Sequence, residues 1–469
     1  MKLTLALPIF KVVQDASKSI GVESFVIGGY VRDLLLNRPS KDVDIVCAGD
    51  GIALANKVAE LLPGKNHVSI FKTFGTAMVQ YEGGEIEFVG ARKESYSRES
   101  RNPKVSVGTI EDDQNRRDFT INTLAISLNE HNYEEVIDPF NGLQDLENKI
   151  LRTPLNPDET FSDDPLRMMR AIRFASQLNF TIEAQAIESI TKNAERLSII
   201  SKERIAIELN KIVLSPIPSV GFKLLFDTKL LHQFFPEMIA LHGVEIIDGK
   251  GHKDNFYHTL QVLDNICEMT DDLWLRWSAI LHDIAKPPTK RFDAKAGWTF
   301  HGHEDRGARM VPKIFKNLRF PSDERMKYVQ KLVKLHLRPI ALSKESITDA
   351  ALRRLLFDAG EDIDDLMKLC RADITSKNEF KVKRYLENFD KVEEKLKDVE
   401  SRDHLRNWQP PVNGHDIMNS FEIQSGRDVG VLKDAIREAI LEGEIPNEKS
   451  AAMKLMIKKA AEIGIKQKE

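Results

Sequence analysis

The stretch Gly28-Gly29-Tyr30-Val31-Arg32-Asp33-Leu34-Leu35-Leu36, followed by Lys41-Asp42-Val43-Asp44-Ile45-Val46, decides the reading of this chain. Its pattern predicts a strand, a double-glycine turn, a helix, and a second strand carrying two aspartates one residue apart. Side chains at i and i+2 of a strand share a face, so Asp42 and Asp44 are placed to grip the same metal ion or pair of ions. Glycines let the backbone approach a phosphate, and the helix that follows aims its free N–H groups at the anion. Arg32, in the first turn, adds a fork for phosphate oxygens. Carboxylates for Mg²⁺ beside a cradle for triphosphate point to nucleotidyl transfer, with two ions about 3.5–4 Å apart activating a hydroxyl and neutralising pyrophosphate.

Short β-branched runs surround this stretch, at Ser24–Ile27, 43–46, 76–80, 85–89 and 121–127, mixed with a helical pattern at 51–62. Glu87, on the fourth of these, is the candidate third acidic group; a solvated strand carboxylate is the alternative. From residue 163 onward nearly everything has helical periodicity. Breaks fall near Pro154 and Pro157, Pro216 and Pro218, the glycine-rich segment 243–251, Pro287-Pro288 and Trp408-Gln409-Pro410-Pro411. The expected fold class is therefore α+β: a small mixed-sheet head followed by a long all-α neck and body.

The chain has 469 residues, 42% hydrophobic and 30% charged, with a formal net charge of −4. That length predicts three or four domains of an ordinary globular protein. No apolar run approaches the ~20 residues of a membrane span, and the start, interrupted by Pro8, reads as an amphipathic lead-in and not a signal peptide. Cys47, Cys267 and Cys370 are scattered, which fits a reducing cytoplasm and argues against cysteine-ligated zinc. The net charge does not announce a nucleic-acid binder, but basic residues cluster at 92–117 (Arg92, Lys93, Arg98, Arg101, Lys104, Arg116, Arg117) and again from Lys313 to Arg338. A solvated face is the simpler reading of the second cluster.

Two further motifs carry chemistry. In Arg116-Arg117-Asp118-Phe119-Thr120-Ile121-Asn122, Arg117 would supply charge to a triphosphate, and Asp118 would accept from a sugar hydroxyl or orient the arginine. In Asp163-Asp164-Pro165-Leu166-Arg167-Met168-Met169-Arg170, a helix with Pro165 in its first turn would make Asp164 and Arg167 i,i+3 neighbours and Asp163 and Arg167 i,i+4 neighbours. An Asp–Arg pair presents an edge that accepts from an exocyclic amine and donates to the adjacent ring nitrogen, which suits cytosine and adenine. Uracil and guanine leave buried groups unpaired, and such a site rejects by ~10⁴–10⁵. A plain intrahelical ion pair is the alternative.

With these motifs in order, residues from about 22 to 235 resemble the class II tRNA nucleotidyltransferases, the CCA-adding enzymes, within the bacterial poly(A) polymerase family. The resemblance also rests on Asp138-Pro139-Phe140-Asn141-Gly142 and, more weakly, Glu203-Arg204-Ile205-Ala206-Ile207-Glu208-Leu209. It implies that Asp42 and Asp44 bind Mg²⁺ and that Asp164 and Arg167 read the base. Gly28, Gly29, Arg32, Arg117, Asp118, Asp163 and Arg170 complete the expected nucleotide-binding set. It further implies tRNA, CTP and ATP as partners. Asp163 stands where the family usually has glutamate, and Asn141 where glycine is common. The charged linker 92–115 resembles a flexible loop that the family associates with switching from C to A, which favours addition of the full CCA. A poly(A) polymerase and an enzyme adding only A or only CC are the alternatives.

Further along stand His258, the pair His282-Asp283 after an apolar helical run, His301-Gly302-His303-Glu304, His336 and Asp373. Imidazole and carboxylate from separate helices suit a mid-series divalent cation with open positions. This segment resembles the HD phosphohydrolase domain, and the resemblance makes His258, His282, Asp283 and Asp373 the metal ligands, with His303 and His336 as additions and Mn, Ni, Co or Mg as the ion. A phosphohydrolase whose head merely binds RNA is thus a further reading. The expected domains are a head at 1–145, a neck at 146–240, the HD domain at 241–400 and a helical tail at 401–469. In that tail the loop at Ser425-Gly426-Arg427-Asp428 reads as a helix-start turn or a phosphate contact.

Overall fold

The computed structural model describes residues 1–465 apart from 41, 65, 72–74, 98–99, 343–347, 377 and 404–407, and the side chains of 95–104 also lie outside it. Within it the chain forms two compact units, Met1–Pro236 and Glu237–Glu469. The architecture is α+β, with the large sheet confined to the first unit.

The first unit is built on a seven-stranded mixed sheet. Its strands are β1 (Ser24–Ile27), β2 (Asp42–Cys47), β3 (Val68–Phe71), β4 (Thr76–Tyr81), β5 (Gly84–Gly90), β8 (Ala125–Ser127) and β9 (Val136–Ile137), in the order β3-β4-β5-β2-β1-β8-β9. Only β2 and β5 pair in parallel, with Asp44 opposite Glu87; the other neighbours are antiparallel. Every residue of the central β1 is buried, as expected for a strand covered on both faces. Helix α1 (Ile9–Ile20) lays Ile9, Phe10 and Val13 into the core, and α3 (Gly51–Leu61) adds Leu54 and Val58. Between them, α2 (Gly29–Leu35) starts directly at the double glycine.

The stretch expected as a linker is a two-stranded hairpin, β6 (Arg92–Ser97) with β7 (Ser100–Val107), leading into α4 (Ile110–Asn115). Arg98, Arg101 and Lys104 of the first basic cluster lie outside the described side chains. Residues 121–127, read as one strand, are a 3₁₀ turn at Thr120–Asn122 followed by β8.

After α5 (Gly142–Asn148) come α6 (Pro157–Asp163) and α7 (Leu166–Leu178). The chain breaks between these two. Asp164 is extended at φ −130°, ψ 96°, because the ring of Pro165 disfavours the helical region for the residue before it. Asp163 therefore closes α6, whereas Arg167 opens α7. This replaces the single helix expected from spacing. The Asp164 carboxylate accepts from the N–H of Leu166, the first residue of α7, at 3.1 Å. Helix α8 (Ala184–Asn193) packs on α6, and α9 (Lys202–Val213) and α10 (Pro218–Asp227) pack on α7, where Arg173 and Glu208 form a buried ion pair at 3.0 Å.

The short α11 (Pro236–Ile239) begins at the end of the first unit. Beyond it the second unit is helical. It comprises α12 (Asn255–Cys267), α13 (Leu273–Leu281), α14 (Lys286–Thr289), α15 (His303–Leu318), α16 (Glu324–Leu335), α17 (Leu337–Leu342), α18 (Asp349–Ala359), α19 (Ile363–Ala372), α20 (Glu379–Asp403), α21 (Gly414–Phe421), α22 (Arg427–Glu442) and α23 (Lys449–Glu462). Trp277, Phe315 and Phe320 form an edge-to-face aromatic core, with ring centroids 4.8 and 5.4 Å apart. Among the described residues no helix is long and apolar enough to cross a membrane.

A candidate nucleotide cleft and a candidate metal centre

Parallel pairing of β2 with β5 sets Glu87 beside Asp44, and the two-residue period of β2 puts Asp42 on the same face. Burial pushes the Asp44 carboxyl up, Arg117 opposes this, and Asp42 reinforces it. Burial and the neighbouring Asp44 likewise push Glu87 up, against a hydrogen bond from Thr76. Crowded oxygen donors that resist sharing one negative field fit a hard divalent cation, whose charge removes that conflict. Asp42 itself is exposed at the strand start, whereas Asp44 and Glu87 line a cleft of about 570 Å³.

The same cleft is lined by Arg92, Arg116, Arg117, Asp118, Asp164, Arg167, Arg170 and Arg204. Gly28 has φ +83°, and a Cβ there would fall 2.7 Å from Nη1 of Arg117 and 3.5 Å from Oδ2 of Asp44. The guanidinium of Arg117 thus lies against the backbone at the double glycine, and a larger residue at 28 would have to displace it.

Two of the expected binders are engaged otherwise. Arg32 is buried, with Nε and Nη2 donating to Asp33 at 2.9 Å and Nη1 donating to Asn122 at 2.8 Å. Its fork is spent on the scaffold and does not line the cleft. Asp118 accepts from Phe119 N, from the Asn122 amide at 2.9 Å, and from Nε of Arg170 at 2.6 Å. Burial alone would raise its carboxyl, but Arg170, Asn122 and Arg167 hold it well below the usual carboxylate range. Of the two roles read for it, orienting an arginine is the one its contacts display, and the arginine is Arg170. Arg32, Arg170 and Arg173 all stack on the Phe174 ring, at 4.9, 5.3 and 4.2 Å.

Sequence reasoning passed over Asp113. It is fully buried and accepts from Nε of Arg116 at 2.9 Å and Nε of Arg117 at 3.1 Å. Its i,i+3 and i,i+4 spacing to the two arginines was the available signal. Nη2 of Arg167 donates to the backbone carbonyl of Arg116 at 2.6 Å, which ties the start of α7 to this group.

In the second unit, helix ends converge on Asp283. His258 lies in the first turn of α12, His282 closes α13, His303 opens α15, His336 closes α16 and Asp373 closes α19. Nε2 of His258 stands 3.4 Å from Asp283 and 3.0 Å from Asp373; Nε2 of His282 and of His303 stand 3.2 Å from Asp283. Each Nδ1 is tied back: His282 to Ala279 O, His303 to Phe300 O, His336 to Val333 O and His258 to the Thr375 hydroxyl. Nδ1–H donation to a carbonyl leaves Nε2 with its lone pair inward, the arrangement that orients metal-binding imidazoles. Nε2 of His282, His303 and His336 is buried without a well-formed hydrogen bond, and orphaned inward donors fit a cation between them. Burial opposes a charge on His258, yet Asp283 and Asp373 push it up to about 9, while burial pushes His336 down to about 4. Lys286 sits 2.5 Å from Asp283. His301 is exposed and outside the cluster. A hollow of about 310 Å³ opens beside this centre, lined in part by Lys253, Lys286, Tyr385 and Phe389.

Comparison with known proteins matches three family models in order. Residues 24–152 match the poly A polymerase head domain, 179–241 the probable RNA and SrmB-binding site of polymerase A, and 255–378 the HD domain. The chain is 40% identical to a CCA-adding enzyme of Streptococcus thermophilus over 234 residues, covering 50% of this chain and 54% of that protein. It is 29% identical to the CCA-adding enzyme of Anoxybacillus flavithermus over 93% of both chains. The chain thus spans about half the length of the first of these relatives and nearly all of the second. The fold is shared with the Bacillus stearothermophilus CCA-adding enzyme solved in complex with CTP, at a TM-score of 0.68, 23% identity, and 97% and 99% coverage. It is also shared with a tRNA nucleotidyltransferase solved with a primer tRNA and an incoming ATP analogue, at a TM-score of 0.58, 25% identity, and 81% and 99% coverage. Head and HD domains of these kinds generally use divalent metals.

Proposed function

We propose that this chain, a member of the poly(A) polymerase nucleotidyltransferase family with an RNA-binding segment and an HD domain, adds C, C and A to tRNA 3′ ends from CTP and ATP without a nucleic-acid template. The observation that carries this reading is the meeting of Asp44, Glu87, Arg117, Asp164 and Arg167 in one cleft. Asp42 and Asp44, with Glu87 beside them, would hold Mg²⁺, which when bound favours loss of the primer hydroxyl proton and stabilises the departing pyrophosphate. Arg117, held against the Gly28 backbone, binds triphosphate oxygens. Asp164 and Arg167 present the base edge, their spacing now set by the pre-proline break and not by one continuous helix. Such chemistry and its tRNA acceptor fit a cytoplasmic enzyme.

A second activity is supported by the imidazole cluster. His258, His282, Asp283 and Asp373, with His303 and His336, would hold a divalent ion such as Mn, Ni, Co or Mg, and such an ion would supply Lewis-acid chemistry for phosphoester hydrolysis. Lys286 stands next to Asp283, at the mouth of the hollow, where it would meet a phosphate.

One assay tests the leading reading. Purified protein is incubated with tRNA lacking its 3′ end, Mg²⁺, and each nucleoside triphosphate alone or together. Growth by three nucleotides requiring both CTP and ATP is expected, and Asp44→Ala should abolish it. Long A tails, or growth stopping after CC, would overturn the reading in favour of the polymerase or the partial-addition alternatives.

A further inference from the structure

The cleft is lined by two adjacent arginines, Arg116 and Arg117, that ought to repel one another. Asp113 resolves this. Its carboxylate is completely buried and does not line the cleft, so it meets no substrate. Oδ1 accepts both nitrogens of the Arg116 fork, Nε at 2.9 Å, and Oδ2 faces the Arg117 fork, with Nε and Nη2 each at 3.1 Å. One carboxylate therefore clamps two guanidinium groups side by side. Each fork grips one carboxylate oxygen through two nitrogens, which fixes its place beside the other. Burial opposes the charge on Asp113, but the two arginines outweigh it and hold the carboxyl below its usual range.

The clamp is itself rigidly mounted. Asp113 lies on α4, whose first turn is closed by a capping box in which Thr109 and Asp112 satisfy each other's backbone N–H groups. Glu94 of the β6–β7 hairpin meets Arg116 at 3.4 Å from the other side. Downstream, the Arg117 fork abuts Gly28, and the Arg116 carbonyl accepts from Arg167. Arg116, Arg117 and Arg167 of the cleft are thus all referenced to one buried carboxylate.

We propose that Asp113 is the positioning residue of the nucleotide site, holding Arg116 and Arg117 in register for the triphosphate and, through the Arg116 carbonyl, setting where Arg167 meets the base. The proposal rests on reading the cleft as the nucleotide site. Removing the charge should loosen both forks, leaving Arg116 its Glu94 contact and Arg117 its bond to the Asn122 carbonyl, so that triphosphate must order them further on binding. Loss then falls on nucleotide affinity and on base choice together, which simple destabilisation does not do.

The test measures steady-state addition by the full-length chain with CTP and with ATP, alongside misincorporation of UTP. Asp113→Asn should raise KM for both nucleotides at least tenfold, lower kcat less than that, and increase UTP use relative to CTP. Should the Asn variant fold poorly, Asp113→Glu keeps the charge but moves it by one methylene, and it should give an intermediate KM with the same loss of base choice. Unchanged KM and selectivity in both folded variants would overturn the proposal, as would a fall in kcat alone that tracks the folded fraction. Failure of the wild-type chain to incorporate CTP or ATP would instead overturn the reading of the cleft.

Discussion

Gly28 shows how much of this chemistry hangs on single atoms. Its φ of +83° and ψ of −132° lie in a region that costs an L-residue about 1–3 kcal/mol, and a Cβ there would fall 2.7 Å from Nη1 of Arg117. Gly28→Ala should therefore act twice, straining the turn before α2 and driving the Arg117 fork out of the cleft. The expected result is a drop of more than tenfold in kcat/KM for nucleotide addition, with little change in overall helix content by circular dichroism; near-normal activity would refute the contact. Residue type and spacing made this glycine legible as a phosphate cradle. They did not make legible that its immediate neighbour is an arginine from ninety residues away. Arg32 illustrates the converse, because an arginine in the first turn reads as an anion fork until the fold supplies Asp33 and Asn122. Sequence specifies that a charge is present; only packing specifies what it spends its hydrogen bonds on.

At the scale of elements, α7 organises the first unit through charges set along its length. Arg170 holds Asp118 ahead of β8, Arg173 holds Glu208 of α9, and both stack on Phe174. Asp118 is buried but the Arg170 side chain is 35% exposed, so Asp118→Asn should loosen this unit at neutral pH by less than the about 3–5 kcal/mol of a fully buried pair. The sign with pH follows from the depressed carboxyl: its stabilisation is complete above the ordinary carboxylate value of about 3.9 and is lost as pH falls through the lower folded value. The variant should lose less stability than wild type on acidification. All four tryptophans (Trp274, Trp277, Trp298, Trp408) lie in the second unit, so they separate the readouts. Urea unfolding followed by circular dichroism should show an early transition in the variant that tryptophan fluorescence does not; coincident shifts in both would contradict this assignment. The main strands were legible because β-branched runs such as 43–46 keep their own period. The break at Asp164 was not read, although the rule that causes it is local, because the Asp–Arg spacing suggested one helix. The β6–β7 hairpin was obscured by its charged, small residues, whose apolar alternation is limited to Val105 and Val107.

Over the whole molecule, the two units carry distinct donor chemistries. The head offers carboxylates alone, which suit a hard, exchangeable cation, whereas the second unit offers imidazoles with two carboxylates, which suit a later divalent metal held more firmly. These are separate sites, and each should be lost without the other. Asp283→Ala should abolish hydrolysis of a test substrate such as bis-p-nitrophenyl phosphate and lower the Ni²⁺ or Mn²⁺ retained after dialysis, while leaving nucleotide addition within about twofold. Asp44→Ala should do the reverse. A dependence on pH distinguishes this from general damage. An imidazole binds a metal only when neutral, and without one the His258 proton persists up to about 9. The apparent metal affinity of the wild-type second unit should therefore rise with pH until about 9 and then level. His258→Gln should flatten that rise, even with Asp283 and Asp373 intact. Metal retention by wild type that is flat from pH 6 to 9 would show that His258 is not a ligand, whatever the effect of removing Asp283.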